Sequence, residues 1–394
     1  MDAVGLLSRV PLHPRPDSFD GYLRGLGVTF FLSRGRLLGV QHGPTAYRLW
    51  CESLARRMND LLAEGLGRQP RIAAVYRAMM LGRRRGLGKD QSLLFLHGGA
   101  MHLFAINGLH IGVVAVSMNA LLALARCPRR IAGALVLAVL WLDVDTTGAS
   151  PSAVRAFLML AAVEVAWMFR RPVNPLAAVT ASALIVLLAD PMEFLSASFQ
   201  MSYSVVASIF LLGLPLGARL MARFRPFRDL PEASWRWHHR LAASVAGHLC
   251  PAAGVGAAAA LVSAVAGVEF FGLFAPVGLV ANLLLAPIAS LVIVSGFASL
   301  VAGLARASLA SRLFNGASGL MLALIGAILR FVTRLPGAWV PCHYRATWIG
   351  PAALAALIGA CMAGYAAGWR PGRGGFWPPF AIVALTFAVG VKFG

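Results

Sequence analysis

Three polar stretches interrupt long apolar ones in this chain, and any chemistry must sit in them. The first is His102-Leu-Phe-Ala-Ile-Asn107-Gly108-Leu-His110. Its two imidazoles fall on roughly the same helix face. No carboxylate stands at metal-site spacing, so the stretch does not read as a zinc site. Two readings stay open. Asn107 and the histidines bond between helices, with Gly108 and Gly112 permitting close approach, or the segment lines a hydrated path, because polar groups within spans face the interior.

The second stretch is Gly148-Ala-Ser150-Pro151-Ser152-Ala-Val-Arg155-Ala156. Gly-Ala-Ser-Pro is a turn, and Ser152 is expected to cap the next helix over the proline. Arg155 then sits one turn inside a span, where a charge costs about 3 kcal/mol on insertion scales unless it snorkels or pairs. It is an interfacial anchor, a partner of Asp145, or a cation that attracts phosphate at a channel mouth. Glu164, near mid-span, is expected to pair with another polar group. The third stretch runs Asp190-Pro191 to Ser198-Phe199-Gln200-Met201-Ser202-Tyr203. Asp-Pro makes a turn, and Gln200 and Ser202 enter the following span as packing polar groups or as path residues. Asn282, five residues before Pro287, reads as a polar contact on a broken helix. Gly82–Lys89 (GRRRGLGK) is not a phosphate loop: Arg83 stands where Gly is needed, and Asp90 where Ser or Thr is needed. Five scattered cysteines show neither a disulfide framework nor a metal cluster. The residues call for no metal and no cofactor.

The elements that hold these groups are dictated by composition. Of 394 residues, 59% are hydrophobic and 13% charged, about half the charged share of a soluble domain. Residues 91–125, 241–268, 270–305 and 346–369 carry no Asp, Glu, Lys or Arg, and a span needs roughly 20 such residues. The expected fold is an all-α polytopic membrane protein, a bundle of about ten transmembrane or re-entrant helices. The candidate spans are 99–125, 131–147, 153–169, 173–189, 195–217, 241–265, 276–303, 313–332, 347–369 and 376–392. Pro251, Pro276 and Pro287 predict breaks within or at the starts of the later ones. Alternate loops hold fifteen arginines against two, which assigns the Arg-rich side to the cytoplasm. The net charge of +20 follows first from that rule; a basic inner rim also suits a polyanion.

Ahead of the bundle, residues 1–45 are polar and Pro-broken, with short strands expected at 28–32 and 37–40. Residues 46–81 read as one amphipathic helix, either in the membrane interface or packed on the bundle, and a basic turn completes a segment 46–96. The membrane domain is 97–394.

The four polar blocks, in order, resemble the competence domain of the ComEC family. Its HL-A-I-S-G-L-H-I, T-G-x-S-P-S-x-x-R-A, D-P…G-F-Q-L-S-F and N-L-L-x-x-P blocks are similar to His102–Ile111, Thr147–Ala156, Asp190–Tyr203 and Asn282–Pro287. Asp17–Leu32 resembles part of that family's external OB-like domain, so residues 1–45 are expected to be a truncated remnant of it and the chain to lack its natural beginning. Asn107 replaces the family's usual Ser, and Ser198 its usual Gly. No H-x-H-x-D-H occurs, so the family's metallo-β-lactamase-like domain has no counterpart here.

The resemblance implies a non-enzymatic channel for single-stranded transforming DNA in a bacterial cell membrane. Candidate path residues are His102, Asn107, His110, Ser150, Ser152, Arg155, Gln200, Ser202 and Asn282. It also implies a separate DNA receptor and a separate translocating ATPase, since the chain has no Walker A motif, and a homo-oligomer is compatible with it. Phe199 and Tyr203 are either base-stacking rings or core. The rival readings are a transporter or scaffold for a non-DNA substrate, a non-functional remnant, and an intramembrane hydrolase using His102 and His110.

Overall fold

The computed structural model describes residues 2–11, 28–39, 43, 45–67, 69–82, 86–104, 108–224, 235–370 and 375–393. Asn107 and the arginines of the basic turn at 83–85 lie outside the described residues. So does the family-like stretch Asp17–Leu32 before residue 28.

The chain is an all-α polytopic membrane protein. It opens with an antiparallel ribbon of β1 (Asp2–Arg9) and β2 (Phe30–Gly39). Sequence reading missed β1 and split β2 in two. Two helices follow, α1 (Ala46–Ala63) and α2 (Pro70–Leu81), where one was expected. Gly65 adopts φ +82°, which terminates α1 in a left-handed turn. Pro70 then restarts the chain as the first residue of α2. The short helix α3 (Lys89–His97) and a single turn, Met101–Phe104, lead into the bundle.

The bundle proper consists of α4 (Gly108–Leu124), α5 (Arg129–Thr146), α6 (Pro151–Met168), α7 (Pro175–Ala189), α8 (Ala197–Arg223), α9 (Trp237–Phe271), α10 (Val277–Leu304), α11 (Ser308–Val332), α12 (Ile349–Ala366) and α13 (Trp377–Gly390). One helix therefore falls in each expected segment. Six are long and apolar enough to cross a membrane: α6, α8, α9, α10, α11 and α12. α9 and α10 run on through Pro251 and Pro287, so the breaks predicted there do not occur, whereas Pro276 stands at the start of α10 as expected. A proline removes one ladder bond and bends a helix, yet both helices continue past theirs. The closest packing joins α8 to α9. A side chain on Gly254 would strike the Gly213 carbonyl and the Gly217 backbone, so only glycine lets these backbones touch.

Helix ends on the Arg-rich side share one device. Arg126, Arg170 and Arg306 each take φ between 53° and 63° just past α4, α6 and α10. The next residue donates back to the final turn, as Cys127 N does to Leu122 O at 2.9 Å. Arginine costs more than glycine in this conformation, and its charge at the negative helix end offsets part of that. At the opposite, Arg-poor end, β3 (Leu273–Phe274), β4 (Val340–Tyr344) and β5 (Val391–Phe393) form a three-stranded sheet. Sequence reading missed it, placing residues 391–392 in the last span. The sheet gathers three segments that loop charges assign to one side.

The amphipathic-helix question resolves in favour of packing on the bundle. Tyr47 at the start of α1 lies beside Asp145 at the Arg-poor end of α5, and that carboxylate pushes its phenol pKa up to about 12. Leu61 at the other end packs on Gly303 of α10. α1 therefore runs the length of the bundle. α2 has no polar face: Ala73–Tyr76 and Ala78–Leu81 are buried in a core shared with α4, α5, α10 and α11. A second core joins α8, α9 and α12. Asn315, fully buried on α11, fastens α1 and α2 to the bundle. It donates to Leu61 O at 2.8 Å and Glu64 O at 3.0 Å, and accepts from Tyr76 at 3.2 Å and Ser299 at 2.7 Å.

Candidate functional site

The second and third polar blocks meet at the Arg-poor end of the bundle, around the start of α6. Ser150, not Ser152, occupies the cap position of α6, with Pro151 as the first helical residue. The cap moves because proline fixes φ and has no N–H to lose there. Ser152 falls inside the first turn, its hydroxyl 3.3 Å from that of Ser150.

Arg155 lies one turn further and is only 1% exposed, the largest fully buried side chain among the described residues. Its NH2 donates to Ser198 O at 2.9 Å and to Ser198 Oγ at 2.6 Å, at the start of α8. Its counter-charge is Glu193, 3.5 Å from NH1. This corrects the expected pairing with Asp145, which meets Tyr47 instead. Glu193 rides on a single helical turn, Pro191–Leu195, between α7 and α8. Asp190 starts that turn by accepting from Met192 N at 2.9 Å, and Ser196 ends it by accepting from Phe199 N at 3.1 Å. The Ser196 hydroxyl donates to Glu193 at 3.0 Å. Ser182 of α7 donates to Arg155 O at 3.3 Å and meets the Tyr203 hydroxyl at 2.9 Å. Arg155 thus ties α6, α7 and α8 together.

Gln200 donates to Phe194 O at 3.2 Å and so braces the same turn. Ser202 is half-buried on α8. Phe199 and Tyr203 are buried with ring centroids 4.4 Å apart; they are core, not stacking platforms open to a ligand. His110 faces α5, its Nε2 3.4 Å from Asp143 Oδ2. His102 stands in the single turn Met101–Phe104 and His110 on α4. Glu164 pairs with Asn119 of α4, which donates at 2.7 Å, as expected for an acid in mid-span. Asn282 of α10 donates to Gly99 O at 3.4 Å, where Gly99 and Gly278 let the backbones approach. It is a polar contact on an unbroken helix.

The structure therefore brings together Ser150, Ser152, Arg155 and Gln200, sets His110 apart on the α4–α5 interface, and leaves Asn282 beside the end of α3. Two contributors were missed in sequence. Glu193 is an acid on the same end as Arg155, a position that would have nominated it. Ser198 stood out only as a departure from the family's glycine; its hydroxyl is what the guanidinium grips. Outside the spans, Tyr344 of β4 is pushed up to about 12 by burial, and its hydroxyl donates to Val265 O at 3.1 Å, pinning the sheet to α9. Among the described residues no three His, Cys, Asp or Glu side chains cluster as a metal site.

A model of the family described as "Competence protein" matches residues 79–370. ComE operon protein 3 of Bacillus subtilis (strain 168) is 30% identical over 142 residues, 36% of this chain and 18% of that protein. The match thus spans less than a fifth of that relative's length. No solved structure matches.

Proposed function

Since the chain belongs to the competence protein family, we propose that it acts in DNA uptake, as a channel through which single-stranded DNA crosses the cell membrane. The observation that carries this reading is a buried cation, Arg155, held at the Arg-poor end by three helices and reached past an exposed turn. Unpaired phosphate is costly in hydrocarbon, and a fixed guanidinium is the donor group best matched to it. In this reading the Arg-poor end faces outward and the arginine-rich loops face the cytoplasm, in a bacterial inner membrane. The strand enters beside Ser150, Ser152, Arg155 and Gln200. His102, Asn107, His110 and Asn282 belong to the wall of the same passage. The β1–β2 ribbon is the edge of an external domain. A surface receptor delivers the DNA and a separate ATPase supplies the work. The chain performs no bond-breaking step itself.

The test is deletion of the gene in a transformable host, followed by complementation. Surface-bound and internalised labelled DNA are measured separately. Wild-type restores internalisation, and Arg155→Gln, checked for expression, lowers internalised DNA while leaving surface binding intact. Normal internalisation in the deletion strain overturns the reading.

A further inference from the structure

Arg155 is buried, yet half of its hydrogen-bonding capacity is unused. NH2 is committed to Ser198. Nε and NH1, which carry three of the guanidinium's five N–H donors, have no hydrogen-bond partner among the described residues. The Glu193 carboxylate stands 3.5 Å from NH1, close enough to balance charge and too far for a good charge-assisted bond, which runs about 2.7–2.9 Å. A buried guanidinium left this way forgoes much of what offsets its desolvation.

The carboxylate's carrier is a single short turn at the rim. Glu193 keeps 27% of its side chain exposed, whereas Arg155 is sealed. Both flanks of the Pro191–Leu195 turn are extended, at Asp190 (φ −147°, ψ 99°) and Ser196 (φ −72°, ψ 135°). The turn's apolar residues Met192, Phe194 and Leu195 are 58–68% exposed, so they do not bolt it to the bundle. Most of its hydrogen bonds are local, from Met192 N to Asp190, from Ser196 N to Glu193 O and from the Ser196 hydroxyl to Glu193; α8 adds Gln200 on Phe194 O and the Phe199 ring 6.2 Å from that of Phe194.

We propose that the unfilled N–H groups of Arg155 form an oxyanion seat for one phosphodiester of a nucleic-acid strand, and that Glu193 is a resident carboxylate which occupies the seat loosely until a phosphate displaces it. This rests on the DNA-uptake reading and adds to it the atoms of contact and a gate. Carboxylate and phosphate compete for the same planar donor set. The 3.5 Å separation makes the resident the weaker occupant. Ser198 holds the guanidinium still during the exchange, through the half of the group that the phosphate does not need. The seat takes the oxyanion and reads no base, so binding is independent of sequence.

The experiment uses the full chain in phosphatidylcholine nanodiscs and a fluorescent single-stranded 20-mer, read by anisotropy at fixed salt. Glu193→Gln removes the competing charge and is expected to tighten binding about tenfold. Arg155→Gln weakens it, and the double variant binds no tighter than Arg155→Gln alone. Arg155→Lys keeps the charge and loses the fork, and the Glu193→Gln gain shrinks in that background. Inorganic pyrophosphate competes with the 20-mer in Glu193→Gln more than in wild-type. No gain in Glu193→Gln overturns the proposal, as does a gain that survives in the Arg155→Gln background. If phosphatidylglycerol in the discs abolishes the gain while pyrophosphate does not compete, the seat's occupant is a lipid headgroup and the strand assignment falls. A gain in Glu193→Gln alongside normal DNA internalisation in the deletion strain would keep the seat and remove the DNA-uptake reading.

Discussion

Asn315 is the residue whose loss should most clearly separate α1 and α2 from the bundle. It is fully buried and makes four hydrogen bonds, to Leu61 O, Glu64 O, Tyr76 and Ser299. Replacing it with leucine keeps the branching and the number of side-chain heavy atoms and deletes all four. Side-chain hydrogen bonds within membrane bundles average about 0.6 kcal/mol, and bonds in soluble proteins about 1 kcal/mol. Four of them give about 2–4 kcal/mol. Two of the abandoned groups have other partners: Ser299 also bonds Ser311 at 3.0 Å, and Leu61 O also accepts from Glu64 N at 3.2 Å. The expected loss for Asn315→Leu is therefore near the lower end, about 2 kcal/mol. The assay is reversible unfolding of the purified chain in mixed dodecylmaltoside and SDS, followed by far-UV circular dichroism. Ser290→Ala is the control, since that hydroxyl bonds only its own helix at Ala286 O, 2.9 Å away; it should cost less than about 0.5 kcal/mol. A second readout is local. Cys51 of α1 is buried, and it should react faster with maleimide in Asn315→Leu than in wild-type. A loss within experimental error of the control, with Cys51 still protected, would refute the idea that this network fastens the helix pair.

Two further outcomes follow from packing. α1 runs beside membrane-spanning helices, yet Arg48, Glu52, Ser53, Arg56, Arg57 and Asp60 are exposed on it, and such a face cannot lie in acyl chains. Ser53→Cys should be labelled in membranes by an impermeant maleimide, whereas Leu284→Cys, on the exposed apolar face of α10, should not; equal protection of both would contradict a wet α1 face. Gly254→Val drives a side chain into the backbone of Gly213 and Gly217. It should destabilise the fold by about 3 kcal/mol or abolish expression, and wild-type stability in the same unfolding assay would show that α8 and α9 can move apart freely.

The sequence revealed the helices because lipid as solvent imposes a crude, strong rule: every span must be long and apolar. All ten segments could be placed that way. Elements without that signature were lost. β1, β4 and β5 are short, and they pair across large sequence distances, which local patterning does not encode. Pro251 and Pro287 misled because a single proline removes one ladder bond, which a long helix can lose and still continue. α2 misled in the other direction, because a helix buried all round carries no polar face to betray its setting. At the site, Arg155 was legible as a charge that apolar surroundings had to explain, and Glu164 likewise found a polar partner. Which partner each would take was not legible. Glu193 is far from Arg155 in sequence and comes beside it only because α7 returns the chain to the same end of the bundle. Asp145 is nearer in sequence, and it faces α1.

The central claim is that the strand passes the outer end of the bundle beside Arg155. Its most direct test is photocrosslinking during uptake in living cells, with a benzophenone side chain placed singly at Ser152, within a turn of Arg155, or at Leu188, which is 76% exposed on the apolar flank of α7. The account predicts covalent capture of incoming labelled strand at Ser152 and none at Leu188. Uptake that proceeds normally with no capture at Ser152, or with equal capture at both positions, would contradict it.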